Sequence, residues 1–483
     1  MKRRWLFILL LLQLYGGSMG AAEPDETARP IPATRPEMKQ LLEDMKSRTV
    51  RLPLPEPTAA EKEQLGDRAD DYESRLRYHY LIESEGSAFS GRPRTAATGT
   101  SPTAAASRDF RRNADEKMSL SYEFKTELFW IVSRTNNCQY CLGHQEQKLS
   151  AAGLSEDRIA ALDLDWEAFT PAEQAAYAWA RKLTWSPHAI TDADIAALRK
   201  HYTDLQILEM TISVAGNNAI NRWKEGTGVA QSQHGTRFFE NASTTALRES
   251  LPIDSFLTPT AGKFQRKRSV VAALAPDANG SSTRAVVGVP PITESRGEVE
   301  VQLATMANRT SRLPLMSSQE TLTAFGKAID GATIPAWMRL LANFPNESLR
   351  RLDSLVERPV DAEDLSSLDR ARVSWVVARQ DRAWYAVAHA LKRLQDLGQT
   401  ADQAYLLDGD LKSLSEAERA ILIMARKLGT SPITLADEDV ARVVQLSGPR
   451  RATQLINYVT SRAYFDRVTE AAGLSTSDDQ RSK

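Results

Sequence analysis

The chain has 483 residues, a formal net charge of −1 and 42% hydrophobic residues, and its length predicts two or three domains. The near-zero charge argues against a nucleic-acid partner, because phosphate binding needs a basic excess. Two cysteines are too few for a disulfide-stapled scaffold, and six scattered histidines form no metal-binding motif, so neither a metal nor a cofactor is expected.

The first 22 residues are predicted to be a cleavable secretory signal peptide. The basic start MKRR precedes the apolar run WLFILLLL, and the small residues Ser18, Gly20 and Ala22 follow it. This run is shorter than the roughly 20 apolar residues of a spanning helix, although an uncleaved anchor is the alternative. We therefore expect an exported protein, either periplasmic or secreted.

Residues 115–232 and 311–475 are predicted to be two copies of one helical unit. The segment 130–144 aligns without gaps on 375–389, and the same offset of 245 residues aligns an Ala-Arg-Lys-Leu sequence in each half. Apolar residues recur at helical spacing in both copies, and no strand-like alternation of useful length occurs. The expected fold class is all-α, with two tandem helical-bundle units.

The remaining segments are expected to be irregular. Residues 23–114 form an N-terminal arm with a flexible insertion, because the stretch 85–107 is rich in Ser, Gly, Thr, Ala and Pro. Residues 233–310 are expected to be a linker between the units, and residues 476–483 a disordered tail. The sequence Arg-Leu-Pro-Leu occurs at 51–54 and again at 312–315, so each unit is expected to begin with an extended arm.

The candidate chemical site is the Cys-x-x-Cys pair of Cys138 and Cys141. On a helix this spacing places the two Cα atoms about 5 Å apart, which a disulfide can span. Asn136 and Asn137 are expected to cap the helix, so that unpaired N–H groups stabilise a thiolate. His144 lies one turn beyond Cys141 and is a candidate base.

The two cysteines allow other interpretations. Covalent haem attachment would need histidine where Leu142 stands, and a thioredoxin-type site would need a βαβ context. A zinc site made of Cys138, Cys141 and His144 has no obvious fourth ligand. A structural disulfide at the start of a helix, with His144 as an ordinary helix-face residue, stays open.

The second copy has Ala383 and Ala386 where the first has Cys138 and Cys141. It therefore keeps the helical pattern and lacks the thiols. His389 is expected to have a packing or polar core role, and the second unit to act as an internal partner of the first.

The run 137–144, which follows an apolar helix and precedes a helical Ala-Arg-Lys-Leu segment, resembles the carboxymuconolactone decarboxylase / alkyl hydroperoxidase D (AhpD-like) superfamily, in particular its peroxidase-related branch. The resemblance covers about residues 115–230 and, without thiols, about residues 335–475. It implies an all-helical, oligomeric protein whose thiol members reduce peroxides.

Carried over to this chain, the resemblance implies that Cys141 is the peroxidatic thiol and Cys138 the resolving thiol. It also implies that Glu127 and His144 relay the proton. Two departures occur: Gln145 stands where the family has its histidine, and Glu127 is one position closer to the pair than in the family pattern.

The predicted function is therefore a thiol-dependent peroxidase-like activity. Its partners would be a peroxide substrate and an exported thiol reductant, and the protein is expected to be a homo-oligomer. One alternative is a non-catalytic exported binding or scaffold protein with a structural disulfide. The other is an enzyme of the decarboxylase branch, which needs no cysteine pair.

Overall fold

A computed structural model describes residues 30–81, 115–231, 255–274, 292–326, 329, 334–356 and 360–480. Within these ranges the chain forms helices, turns and a single isolated β-bridge, so the prediction of an all-α fold is confirmed. None of the helices in these ranges is both long and apolar enough to span a bilayer. The predicted signal peptide and the predicted insertion at 85–107 lie outside the described residues.

The N-terminal half and the segment after it contain eleven described α-helices. These are α1 (Arg35–Asp44), α2 (Ala59–Leu65), α3 (Tyr72–Tyr80), α4 (Tyr122–Thr135), α5 (Gln139–Ala151), α6 (Glu156–Ala161), α7 (Pro171–Trp185), α8 (Asp192–Leu198), α9 (Asp204–Thr227), α10 (Gly262–Gln265) and α11 (Val270–Leu274). Short 3-10 turns occur at Met45–Ser47, Gly66–Arg68 and Pro187–Ala189.

The C-terminal half contains ten more within the described residues. These are α12 (Arg296–Ala307), α13 (Ser318–Phe325), α14 (Ala336–Leu341), α15 (Pro345–Leu355), α16 (Ser367–Asp381), α17 (Trp384–Asp396), α18 (Ala401–Leu406), α19 (Glu416–Gly429), α20 (Asp437–Ala472) and α21 (Thr476–Gln480).

Local sequence signals explain where several helices begin. Thr170 and Ser415 are N-caps, and each forms a capping box with the glutamate three residues later, which satisfies two otherwise unpaired N–H groups. Inside α20 the backbone leaves helical geometry at Gly448, which has φ 83° and precedes Pro449. Proline restricts the residue before it, so α20 consists of two helical segments joined at this glycine.

Helix positions in the two halves follow one offset. Helices α16, α17, α18 and α19 begin 245 residues after α4, α5, α6 and α7. Helix α20 begins 245 residues after α8, and Pro449 lies 245 residues after Asp204, the first residue of α9. The two Arg-Leu-Pro-Leu arms make corresponding contacts. The Arg51 N–H donates to Thr227 O (3.2 Å), and the Arg312 N–H donates to Ala472 O (2.7 Å), each at the C-terminal end of a long helix.

Helices α9 and α20 form the most extensive helix–helix contact of the described residues. A Cβ atom at Gly226 would lie 2.5 Å from Cγ2 of Ile456, so only glycine permits this approach. The contact is reciprocal: Arg222 of α9 donates to Gly429 O (2.8 Å), and Arg467 of α20 donates to Thr184 O (3.1 Å). One continuous hydrophobic core contains residues of both halves.

Two segments expected to be irregular contain ordered helices. Helix α12 lies within the predicted linker 233–310 and begins with a capping box between Ser295 and Glu298. Helix α21 lies within the predicted tail 476–483 and carries Asp479, which accepts a hydrogen bond from the Tyr385 hydroxyl (2.8 Å). The predictions of an irregular linker and a disordered tail are therefore wrong for these residues, since both helices are held by contacts with α17 rather than by strong patterns of their own.

Candidate functional site

The two cysteines lie at the N-terminus of α5. Cys138 is the N-cap residue, and its Sγ accepts a hydrogen bond from the backbone N–H of Cys141 (3.4 Å). This corrects the expectation that Asn136 and Asn137 would be the caps. Instead, Asn137 adopts a left-handed conformation (φ 58°) that turns the chain between α4 and α5. Both cysteines are free thiols in the structure.

Both thiols are buried, with 0% of Cys138 and 3% of Cys141 exposed. They pack with Met45 and Tyr140 in a small cluster that is separate from the main core. Gly143, one turn along α5, is covered from outside, because a Cβ atom there would lie 2.9 Å from the Gln231 side chain. A substrate therefore needs a local opening to reach the sulfur atoms.

A row of amides on α9 lies against the thiols. The Asn136 side chain donates to the side-chain oxygens of Asn218 (2.8 Å) and Asn221 (3.0 Å). Asn221 is also hydrogen-bonded to the Cys141 thiol. Sequence reasoning did not select these residues, although buried-helix spacing together with repeated asparagines was a usable signal. Their polar atoms would be costly to bury without such partners.

A buried cation also lies beside the pair. Lys224 of α9 stands over the Tyr140 ring, 4.3 Å from its centroid, and is paired with Glu73 of α3. The Lys224 and Arg77 cations outweigh the burial of Glu73 and lower the pKa of its carboxyl to about 2. Burial raises the pKa of Tyr140 to about 12, so the phenol is neutral. Lys224 therefore supplies positive charge close to the thiols.

The pKa of the Cys141 thiol is raised well above its usual value. Burial is the main cause, and the neighbouring Cys138 adds to it, whereas Lys224 and Asn221 act in the opposite direction. Two sulfurs this close titrate as a pair, so the first proton lost makes the second harder to remove. The position of Cys138 at the helix N-terminus, where it accepts an N–H bond, favours its thiolate.

His144 packs edge-on against the Tyr140 ring, with centroids 4.7 Å apart. Burial, with the Lys148 and Lys224 cations, lowers the pKa of His144 to about 3. The imidazole is therefore neutral at physiological pH, and its low pKa makes it a weak base.

Glu127, the other expected relay residue, belongs to a different network. One carboxylate oxygen accepts from the Tyr177 hydroxyl (2.5 Å) and the other from Arg158 Nε (3.0 Å). On the same helix Trp130 donates to Glu146 (2.5 Å), which is five residues beyond Cys141. Because α4 and α5 run antiparallel, Glu127 lies about 12 Å along the helix axis from Cys141, too far for direct proton transfer.

The corresponding positions of the second half are also buried. Ala383 and Ala386 lie at the start of α17, with 0% and 6% exposure. His389 faces Asp479, with 3.1 Å between Nε2 and Oδ2. Among the described residues, no group of three or more His, Cys, Asp or Glu side chains is arranged to hold a metal ion.

The part of the chain that contains the two cysteines is similar to a known protein family. Residues 131–182 match the carboxymuconolactone decarboxylase family model. The match runs from α4 through α7 and includes both cysteines and His144, and it supports the superfamily resemblance for this part of the chain. No curated protein and no solved structure matched the chain in the corresponding searches.

Proposed function

We propose that this chain is an exported, thiol-dependent peroxidase-like protein whose redox centre is the pair Cys138 and Cys141. The observation that carries the proposal is the bond from the Cys141 N–H to the Cys138 sulfur at the start of α5. This geometry brings two reduced thiols together at the positive end of a helix, with the Lys224 cation beside them. A purely structural role would need neither the cation nor the asparagine contacts.

The geometry favours Cys138 as the attacking thiol, which exchanges the roles implied by the family resemblance. The Cys138 thiolate attacks one peroxide oxygen, the O–O bond breaks, and the departing oxygen takes a proton to leave as an alcohol or water. The Cys141 thiol then displaces hydroxide from the resulting sulfenic acid and, with one proton, releases water and forms the disulfide. An exported dithiol of the cell restores both thiols, as thiol–disulfide exchange requires.

Proton transfer in this scheme does not involve Glu127, whose two oxygens are bound to Tyr177 and Arg158. His144, the other predicted base, is neutral and packs against Tyr140, so proton transfer through it would require that ring contact to rearrange. Lys224 and Asn221 stabilise the thiolate form of Cys141, because each opposes the effect of burial on its pKa. They become important in the resolving step.

The second unit is proposed to be an internal partner that arose by duplication. Arg51 of the first half pairs with Asp437 of the second (2.5 Å), and Arg312 of the second half pairs with Asp192 of the first (2.7 Å). Such exchanged contacts are those of a two-fold interface between identical subunits. Association of the whole chain into a homo-oligomer stays a prediction.

The test uses the purified mature chain and its Cys138→Ser and Cys141→Ser variants, with hydrogen peroxide as substrate and dithiothreitol as reductant. We expect peroxide consumption by the native chain and at least a hundredfold slower consumption by Cys138→Ser. In Cys141→Ser, a sulfenic acid should accumulate on Cys138, because the resolving thiol is missing. Mass spectrometry after dimedone labelling detects this adduct.

The matched control is Ser150→Ala, which removes an exposed hydroxyl near the far end of α5 from the two sulfurs. A sulfenic acid on Cys141 in Cys138→Ser, with a substantial rate, would restore the roles implied by the resemblance. No peroxide consumption by the fully reduced native chain would contradict the peroxidase proposal and favour the scaffold alternative.

A further inference from the structure

The second half contains a cavity of about 260 Å³ where α17 meets the C-terminal segment of α20. Five of its twelve lining side chains are apolar. These are Trp337, Leu355, Ala386, Ala390 and Phe465. Ala386 lies 245 residues after Cys141, so this cavity occupies the position that the thiol site has in the first half.

Two polar residues of α20 differ in character from their counterparts in α9. Arg462 and Asp466 lie 245 residues after Asn217 and Asn221, and both line the cavity. In the first half the Asn217 amide is used internally, donating to Phe129 O (3.0 Å) and to the Ser133 hydroxyl (3.1 Å). The second half therefore has a guanidinium and a carboxyl on the cavity wall where the first half has amides. The guanidinium also donates to Ser354 O (3.4 Å) and lies over the Phe465 ring, 5.2 Å from its centroid.

Arg462 and Asp466 keep unused hydrogen-bonding capacity. Asp466 is 1% exposed and Arg462 is 9% exposed. Within the described part of the chain, Asp466 Oδ2 and Arg462 Nε have no hydrogen-bond partner. Buried polar atoms are normally paired, so two such atoms on one cavity wall indicate a missing ligand.

The charges around the cavity indicate the sign of that ligand. Lys392 and Arg393 lie on the wall with Arg462, and Lys392 is paired with Asp396 (2.9 Å). Burial and the nearby Asp381 raise the pKa of Asp466 well above its usual range, which favours the protonated carboxyl. The wall is therefore cationic overall and would disfavour an amine.

The volume limits the size of the ligand. At about 30 Å³ for each water-sized group, the cavity holds a molecule of about nine non-hydrogen atoms. The aromatic rings of Trp337 and Phe465 pack edge-to-face, 5.8 Å between centroids, and offer apolar surface beside the polar pair.

We propose that this cavity binds a small monocarboxylate with an apolar, ring-sized body, of which benzoate is the simplest probe. The carboxylate lies between Arg462 and Asp466, and the ring lies against Trp337 and Phe465. Replacement of the thiol by Ala386 provides the space that this ligand needs. The second unit is thus a binding unit whose ligand class is independent of the peroxidase proposal.

The test is isothermal titration of the full-length mature chain with benzoate, benzyl alcohol and benzylamine at equal concentrations. We expect saturable binding of one benzoate per chain, with benzyl alcohol and benzylamine at least tenfold weaker. Equal or tighter binding of benzylamine would overturn the proposal. Absence of saturable benzoate binding up to 10 mM, about the limit at which such a small ligand would still be specific, would overturn it as well.

Four variants locate the site, each checked for folding by far-ultraviolet circular dichroism. Arg462→Gln and Ala386→Leu should weaken benzoate binding at least tenfold, the first by removing the cation and the second by filling the cavity. Asp466→Asn keeps a neutral donor and should bind within threefold of the native chain. Arg442→Gln, an exposed position on the same helix, is the control and should bind like the native chain. Unchanged binding by folded Arg462→Gln, or loss of binding in Asp466→Asn, would refute the assignment.

Discussion

Replacing Arg467 by methionine should destabilise the protein strongly, because it leaves a buried carboxylate without its partner. Arg467 is fully buried and donates to both oxygens of Asp381 (2.7 and 3.2 Å). It also donates to Thr184 O in the other half (3.1 Å). Removing one member of a buried pair costs about 3–5 kcal/mol, since the remaining charge stays desolvated.

Arg222→Met is the matched comparison at the corresponding position of the first half. Arg222 donates to Gly429 O and Thr430 O (2.8 and 3.2 Å), and no carboxylate of the described residues forms an ion pair with it. Its own pKa is lowered well below the usual value by burial and by Arg467, so its removal relieves a desolvated charge. We expect Arg222→Met to lower the free energy of unfolding by a smaller amount, about 1–3 kcal/mol, because it leaves carbonyl groups without a hydrogen-bond donor.

The assay is urea-induced unfolding followed by circular dichroism and tryptophan fluorescence, with coincident curves required before a free energy is calculated. The double variant Arg467→Met with Asp381→Asn should recover more than half of the loss, because the stranded charge is removed. Equal losses for Arg467→Met and Arg222→Met, or no recovery in the double variant, would refute this account of the interface.

Two further predictions concern carboxylates near the site. The pKa of Glu73 is lowered from 4.5 to about 2 by Lys224 and Arg77, so its contribution to stability is present above pH 4.5 and is lost as the pH falls towards 2. Glu73→Gln should therefore be less stable than the native chain by up to about 3 kcal/mol at pH 7, and urea titrations should show this difference shrinking at pH 3. Glu127→Gln should change the peroxide-dependent rate less than threefold, since Tyr177 holds this carboxylate in another network. If Glu127→Gln slowed the peroxide-dependent rate tenfold at unchanged stability, Glu127 would be a member of the proton relay after all.

The helical fold could be predicted because its signals are local. Apolar spacing and the caps at Thr170 and Ser415 depend on residues within one or two turns, so they are readable from the sequence. Helices α12 and α21 were missed because neither has a clear apolar stripe of its own and both are held by contacts with α17.

For the candidate site, the sequence predicted the cysteine pair and its position at the start of a helix. It did not predict that Cys138 would itself be the cap, since this depends on the left-handed turn at Asn137. It also did not predict the contacts of Lys224 and Glu73. Lys224 lies more than eighty residues after Cys138, and Glu73 lies more than sixty residues before it. Such contacts depend on the packing of α9 against α5 and on the position of α3 beside α9.

The sequence by itself therefore determined the helical class, the pairing of two thiols one turn apart and the loss of those thiols in the second half. These depend on residue type and short-range spacing. Only the tertiary structure decided which side chains surround the thiols, that Glu127 is bound elsewhere and that a cavity replaces the thiol site beside Ala386. The physical reason is that burial, charge pairing and free volume arise between helices distant in the chain, where side-chain contacts are set by packing rather than by sequence spacing.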